Sequence, residues 1–99
     1  MSAYMIFIRE EPVRDQAEMD TYRKKGAGSQ NGFNMKPLAV YGAQEAIEGK
    51  APDGVVILEF PTMEEAKAWY NSPIYKAAAP HRMRAAHYRT VLVQGFEAQ

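Results

Sequence analysis

The chain contains no cysteine. That single absence removes disulfide bridges, thiolate nucleophiles and thiolate-held metals. Histidine is nearly as scarce, with His81 and His87 the only two. No HxxxH, HExxH or carboxylate cluster supplies a third ligand beside either, so no metal and no cofactor is expected. An excess of one charge is missing too: Lys plus Arg (12) equals Asp plus Glu (12). Binding along nucleic acid or an anionic membrane draws on a surplus of cations, so neither partner is expected. No window approaches the ~20 apolar residues of a membrane helix. The start, MSAYMIFIREE, has an apolar run too short for a signal-peptide core and no basic stretch before it. A soluble, cytoplasmic protein is the expectation. Repeats and low-complexity tracts are also lacking. The 99 residues read as one domain, 1–99. A chain of this size buries only about 60–65% of its unfolded surface, which leaves a thin stability margin.

Strand and helix signals alternate through what remains. Tyr4 to Ile8 is apolar at every position, with aromatic and β-branched bias, and reads as a strand buried on both faces. Glu10, Glu11 and Pro12 close it. Asp15 caps a helix, with Glu18 at the capping-box position. Met19 and Tyr22 share one face of that helix; Arg14, Asp20, Arg23, Lys24 and Lys25 form its solvated side. Gly26 and Gly28 weaken it and Asn31-Gly32 stops it. Pro37 to Tyr41 is a second strand, at an edge because Pro37 opens it. A polar loop from Gln44 to Asp53 leads to the third strand, Val55 to Phe60. Pro61 ends that strand. Thr62 and Glu65 have capping-box spacing, and Ala66, Trp69 and Tyr70 fall on one face of a Thr62–Asn71 helix. Asn71-Ser72-Pro73 ends it, because a residue before proline avoids the helical region. A short Ile74–Ala79 helix follows, broken by Pro80. His87 to Gln94 is the fourth strand and Gly95 ends it.

Strand, helix, strand, strand, helix, strand is the split βαβ order of an α+β, ferredoxin-like fold, βαββαβ, with an antiparallel sheet and the helices on one face. The first and third strands belong in the centre. An antiparallel sheet covered on one face alternates apolar and polar residues. Here Tyr4, Ile6 and Ile8 are apolar on one parity and Met5 and Phe7 on the other, and Val55 to Leu58 repeats the pattern. A second copy of the chain is the simplest cover for the extra apolar face, so a homodimer is expected.

The segment EFPTMEEAKAWYNSPIY (Glu59–Tyr75), then Arg82, then YRTVLVQG (Tyr88–Gly95), resembles the domain-of-unknown-function 1330 family (DUF1330). The resemblance spans nearly the whole chain and its specific part is the second half. It implies a dimeric α/β barrel, in which two ferredoxin-like sheets pack face to face. It transfers no chemistry: relatives in that superfamily include haem-degrading and cofactor-free monooxygenases and lactone isomerases, and a fold does not set a function.

Trp69, Tyr70 and Tyr75 either line a pocket or simply hold the helices on the sheet. Arg82 and Arg89 are candidate anion binders, since guanidinium offers a planar fork to carboxylate or phosphate. Arg89 reads equally as a salt bridge, to Glu59 for instance, or as an edge charge. His81 and His87 are candidate general bases, or ordinary surface and capping histidines. Gly26-Ala27-Gly28 follows a helix rather than a strand and is no phosphate loop, and no serine sits in a nucleophile elbow. The pocket belongs between the Thr62–Tyr75 segment and the sheet, with Trp69, Tyr75 and Arg82 at its wall. Two functions stand side by side: a small monooxygenase- or isomerase-like enzyme acting on an anionic organic substrate, and a non-catalytic dimeric ligand-binding or assembly protein.

Overall fold

The structure, a computed structural model, describes residues 1–96. The expected domain ends at Gln99, and its residues 97–99 lie outside the described residues. The elements run β1 (Ala3–Arg9), α1 (Gln16–Gly26), β2 (Lys36–Val40), β3 (Gly54–Phe60), α2 (Met63–Tyr70), α3 (Pro73–Ala85) and β4 (Tyr88–Gln94). The sheet is antiparallel throughout, in the order β2-β3-β1-β4. The two most continuously apolar strands, β1 and β3, are the central ones. This is the ferredoxin-like α+β architecture.

Parity along the central strands sorts the core. Ala3, Met5 and Phe7 are buried, as are Leu58 and Phe60. Met5, Phe7, Leu58 and Phe60 meet Ala66 and Trp69 of α2 and Tyr75 and Ala79 of α3 in one cluster. The opposite parity forms a second apolar surface. Ile6 lies between Ile57 and Val91, and Ile8 lies beside Val55. Val91 and Val93 are each 45% exposed, so among the described residues of one chain this face has no cover.

Two local expectations need correction. Pro80 does not break the last helix: α3 continues for 13 residues, from Pro73 to Ala85. Proline removes one helical hydrogen bond and crowds the preceding turn. Here its ring faces solvent, while Tyr75, Ala78, Ala79, Arg82 and Ala85, on both sides of it, are buried. Packing of that stripe outweighs the lost bond, as tertiary context overrides propensity elsewhere. The capping boxes are the other case. The Asp15 and Thr62 side chains do accept from the backbone N–H of Glu18 and Glu65. The reciprocal half is absent. Glu18 turns instead to His81 and Arg84, and Glu65 accepts the Asn34 backbone N–H at 3.1 Å, tying the approach to β2 onto α2.

α1 packs along α3, with the Gly26 position so near that a Cβ there would sit 3.7 Å from the Cβ of Ala78. Small residues bring these helices together. Their long side chains, Tyr22, Tyr75 and Arg82, then extend over the sheet.

Candidate functional site

A cavity of about 410 Å³ lies between the sheet and the α1–α3 pair. Phe7, Val56 and Leu58 form its floor. Met19 and Tyr22 of α1, Trp69 of α2 and Tyr75 and Arg82 of α3 form its walls. Trp69, Tyr75 and Arg82 are therefore brought together. α1 and the following turn supply a wall that the sequence did not mark as part of a pocket.

Aromatic rings and phenols dominate the wall. Trp69 and Tyr75 pack with centroids 4.2 Å apart and planes at 35°. Trp69 Nε1 donates to the buried Ser29 hydroxyl at 3.2 Å, which satisfies the indole and fixes its rotamer. The Tyr22 and Tyr75 hydroxyls share a hydrogen bond of 2.9 Å. Whichever of the two donates, the other keeps a free proton. Burial raises both phenols, Tyr22 well above the ordinary tyrosine range. For Tyr22 the neighbouring Tyr75 adds to the rise, whereas for Tyr75 the guanidinium of Arg82 opposes it. At neutral pH both act as hydrogen-bond groups and neither serves as a base.

A second phenol pair stands beyond. Tyr41 and Tyr88 share a hydroxyl–hydroxyl bond of 2.6 Å, and burial followed by that bond raises Tyr41 as well. Tyr41 is the only non-glycine residue with positive φ (50°) among those described, a conformation that must be held from outside. Three contacts hold it. Its ring lies flat on Gly54, where a Cβ would come within 2.6 Å of Cδ1. The Arg9 guanidinium stacks 4.5 Å from its centroid. Its backbone N–H donates to Val55 at 2.9 Å. Arg9 is fixed in turn by Asp53 at 2.7 Å.

Arg82 is the electrostatic centre. It is 2% exposed and, among the described residues, no carboxylate pairs with it. Its guanidinium carbon lies 5.1 Å from the Phe7 centroid and 5.0 Å from that of Tyr88. Nη2 donates to the Tyr70 hydroxyl at 3.5 Å, the outer limit of a hydrogen bond. Nε is buried with no partner. Burial penalises this charge, while the phenols of Tyr75, Tyr22 and Tyr70 act the other way and leave the guanidinium pKa raised, so the group stays protonated. Among the described residues Arg23, at the exposed rim, is the only other charged lining residue, and no carboxylate lines the cavity.

The remaining sequence candidates lie elsewhere. Arg89 is on the other face of the sheet, paired with Glu10 rather than Glu59, because its parity is that of Ile8 and not of Phe7. His81 sits on the outer side of α3, its Nδ1 2.6 Å from the Glu18 carboxylate and 3.0 Å from Arg84 Nη2. That contact, helped by Arg84, lowers the Glu18 pKa. His81 does not reach the cavity. His87 is exposed beside a smaller pocket that Arg82 also lines. Among the described residues no group of three or more potential metal ligands converges.

The site thus belongs to a ferredoxin-like α+β protein with an aromatic cavity built around one buried cation. The chain is a member of the DUF1330 family, a domain of unknown function whose model matches residues 2–96. No curated protein matches it. Among solved structures it is similar to a protein of unknown function from Rhodopseudomonas palustris, at 16% identity and TM-score 0.73, covering 98% of this chain and 84% of that one. It is also similar to a dimeric ferredoxin-like protein of unknown function from Bacteroides fragilis (12%, TM-score 0.59, 95% and 96% covered). A dimeric ferredoxin-like protein of unknown function from Thermobifida fusca matches comparably (12%, TM-score 0.60, 93% and 89% covered). At these identities the likeness is one of fold. Among the described residues no helix is long and apolar enough to cross a membrane.

Proposed function

We propose that this protein is a homodimeric small-molecule-binding protein whose ligand is an organic monoanion seated at Arg82. One observation carries the reading: a guanidinium 2% exposed, with an orphaned Nε and, among the described residues, no carboxylate to neutralise it. Burying an unpaired charge costs several kcal/mol, and native proteins compensate such charges with partners. An anionic ligand is the missing partner. A single buried cation balances one negative charge, and a dianion would leave its second charge uncompensated in a medium of low dielectric. The apolar and aromatic remainder of the wall suits an organic body, and about 410 Å³ lies within the usual range of small-ligand sites. Binding is favoured over catalysis because no histidine lines the large cavity: its phenols are pushed up, His81 lies outside it, and His87 borders only the smaller pocket.

Thermal-shift screening of small organic monocarboxylates tests this. A ligand that binds only the folded state raises the melting temperature. At least one acid should stabilise the protein, and Arg82→Met should lose that shift. An equal shift in the variant would refute the site.

The dimer rests on the uncovered sheet face around Ile6, Ile57 and Val91, and is supported by the dimeric state of the two ferredoxin-like neighbours. Light scattering at micromolar concentration should give twice the chain mass. Ile6→Asp should give a monomer or an unfolded chain, since dimerisation would bury an unpaired carboxylate. A wild-type monomer would defeat the dimer reading and leave the cavity untouched.

A further inference from the structure

Arg82 borders two hollows. Its guanidinium carbon lies 5.1 Å from the ring centroid of Phe7, which lines the large cavity, and 5.0 Å from that of Tyr88, which lines a second pocket of about 260 Å³. The second pocket differs in character. Tyr70, Arg82, His87, Tyr88 and Thr90 line it, and no carboxylate does. His87 and Met83 are exposed at its rim.

The direction of the free donors separates the two hollows. In arginine, Nε–H and one N–H of Nη2 lie parallel along a single edge of the planar group, the side-on fork that takes a carboxylate bidentately. Nη2 here points at the Tyr70 hydroxyl, and Nε beside it has no partner. Tyr70 lines the smaller pocket and not the large cavity. Tyr75 approaches the same guanidinium from the large cavity, whereas the Nη2 donor is turned to the smaller side with Nε next to it in the planar group. Its present occupant, a phenol at 3.5 Å, is a weak partner and half-buried, so it is the group a stronger acceptor displaces.

We infer that the ligand is a carboxylate whose head group sits in the smaller pocket, on the Nε–Nη2 edge of Arg82. Tyr70 and Thr90 are its hydroxyl neighbours and its apolar body lies along the guanidinium in the large cavity. This rests on the reading of Arg82 as an anion site and adds which anion, where, and through which residues. Two parallel N–H groups match two coplanar oxygens. A tetrahedral phosphonate matches them less well and brings up to two charges to one cation. The hydroxyls of Tyr70 and Thr90 can donate to the outer lone pairs of a carboxylate, whereas a neutral amide brings an N–H₂ that meets only donors on the fork.

Calorimetric titration with benzoate, phenylphosphonate and benzamide, three head groups on one ring, tests the inference in wild type, Arg82→Met, Arg82→Lys and Tyr70→Phe. The expected order is benzoate tightest, by about tenfold or more over phenylphosphonate, with benzamide undetectable. Arg82→Lys keeps the charge but loses the fork, and should weaken benzoate about tenfold. Tyr70→Phe should weaken it a few-fold without affecting the fold. Acetate should bind more weakly than benzoate, because it leaves the large cavity empty. Phenylphosphonate binding as well as benzoate, or Arg82→Lys and Tyr70→Phe both binding benzoate at full strength, overturns the carboxylate seat while the anion site stands. Benzoate binding unchanged in Arg82→Met overturns the anion site itself. Failure of all three probes to bind the wild-type protein at millimolar concentration counts against both.

Discussion

Arg82→Met should make the ligand-free protein more stable while abolishing its response to organic anions. The substitution keeps a long, flexible, apolar-stemmed side chain and removes the charge. On one side stands the cost of holding a guanidinium at 2% exposure with no carboxylate, several kcal/mol in real proteins after relaxation. On the other stand two ring contacts at 5.1 and 5.0 Å, each worth about 1–2 kcal/mol when desolvated. The bond to Tyr70 at 3.5 Å adds a few tenths at most, being at its geometric limit. Methionine recovers part of the ring contact through its sulfur. The balance favours the variant by about 1–2 kcal/mol, or roughly 4–8 °C in melting temperature per kcal/mol for a domain of this size. Melting and denaturant curves at matched chain concentration measure it, since any dimer makes the midpoint concentration-dependent. A variant destabilised by about 2 kcal/mol or more would refute the reasoning. It would mean that the guanidinium is satisfied by its tyrosines and is a strut of the core, with no functional charge held in reserve. The opposite result identifies stability given up for binding, as functional sites commonly do.

Further consequences concern the frame of the site. Gly54→Ala should destabilise the protein by about 1–3 kcal/mol, because its Cβ would lie 2.6 Å from Tyr41 Cδ1; a smaller change in a denaturant midpoint would show that the Tyr41 ring shifts freely. Pro80→Ala should stabilise by about 1 kcal/mol or more, restoring a helical hydrogen bond at an exposed position, less the entropy proline removes from the unfolded chain; no gain would mean α3 has already adapted to its proline. Tyr22, Tyr41 and Tyr75 have raised folded-state pKa values, so their contribution is complete below the unfolded tyrosine value of about 10 and is lost as pH rises beyond it. Near-ultraviolet tyrosinate absorbance should accordingly lag for these three until unfolding begins, and full ionisation in a protein still folded by circular dichroism would contradict their burial.

The split between what the sequence displayed and what it hid follows the range of the forces involved. Strand order and the two central strands were legible because β1 and β3 carry apolar residues on both parities, a local signal. The α2 cap was legible because Thr62 and Glu65 are three residues apart. Trp69, Tyr75 and Arg82 pointed to the cavity because a proline break and helical spacing put them on one segment. Pro80 misled because its local cost is real, and only packing of Ala78, Ala79 and Ala85 against distant elements outweighs it. Arg89 and Arg82 are chemically identical in a one-dimensional reading. One parity step on β4 sends the first to Glu10, and one helical stripe sends the second into the core. Tyr41 carried no signal at all. Its left-handed backbone is imposed by Gly54, Arg9 and Val55, none of which is near it in sequence.

The same geometry explains why a cation, rather than another leucine, occupies the centre of this small protein. α1 and α3 meet through Gly26 and Ala78, and the residues buried nearest Arg82 along the chain are alanines: Ala78, Ala79 and Ala85 of the helix and Ala86 just past its end. Small residues at a helix contact draw the backbones close and leave little to fill the space over the sheet. Tyr22, Tyr75 and Arg82 reach into that space from the two helices, yet their polar ends prevent them from collapsing into a dry core: each hydroxyl and each N–H needs a partner. The phenols satisfy one another in pairs, Tyr22 with Tyr75 and Tyr41 with Tyr88. The guanidinium has no such counterpart and retains an unbonded Nε. A core assembled for stability alone would have closed this gap with a carboxylate or a hydrocarbon, either of which abolishes anion binding. The open valence at Arg82, beside the rings of Phe7 and Tyr88, is what a site looks like when its last partner is supplied from outside the chain.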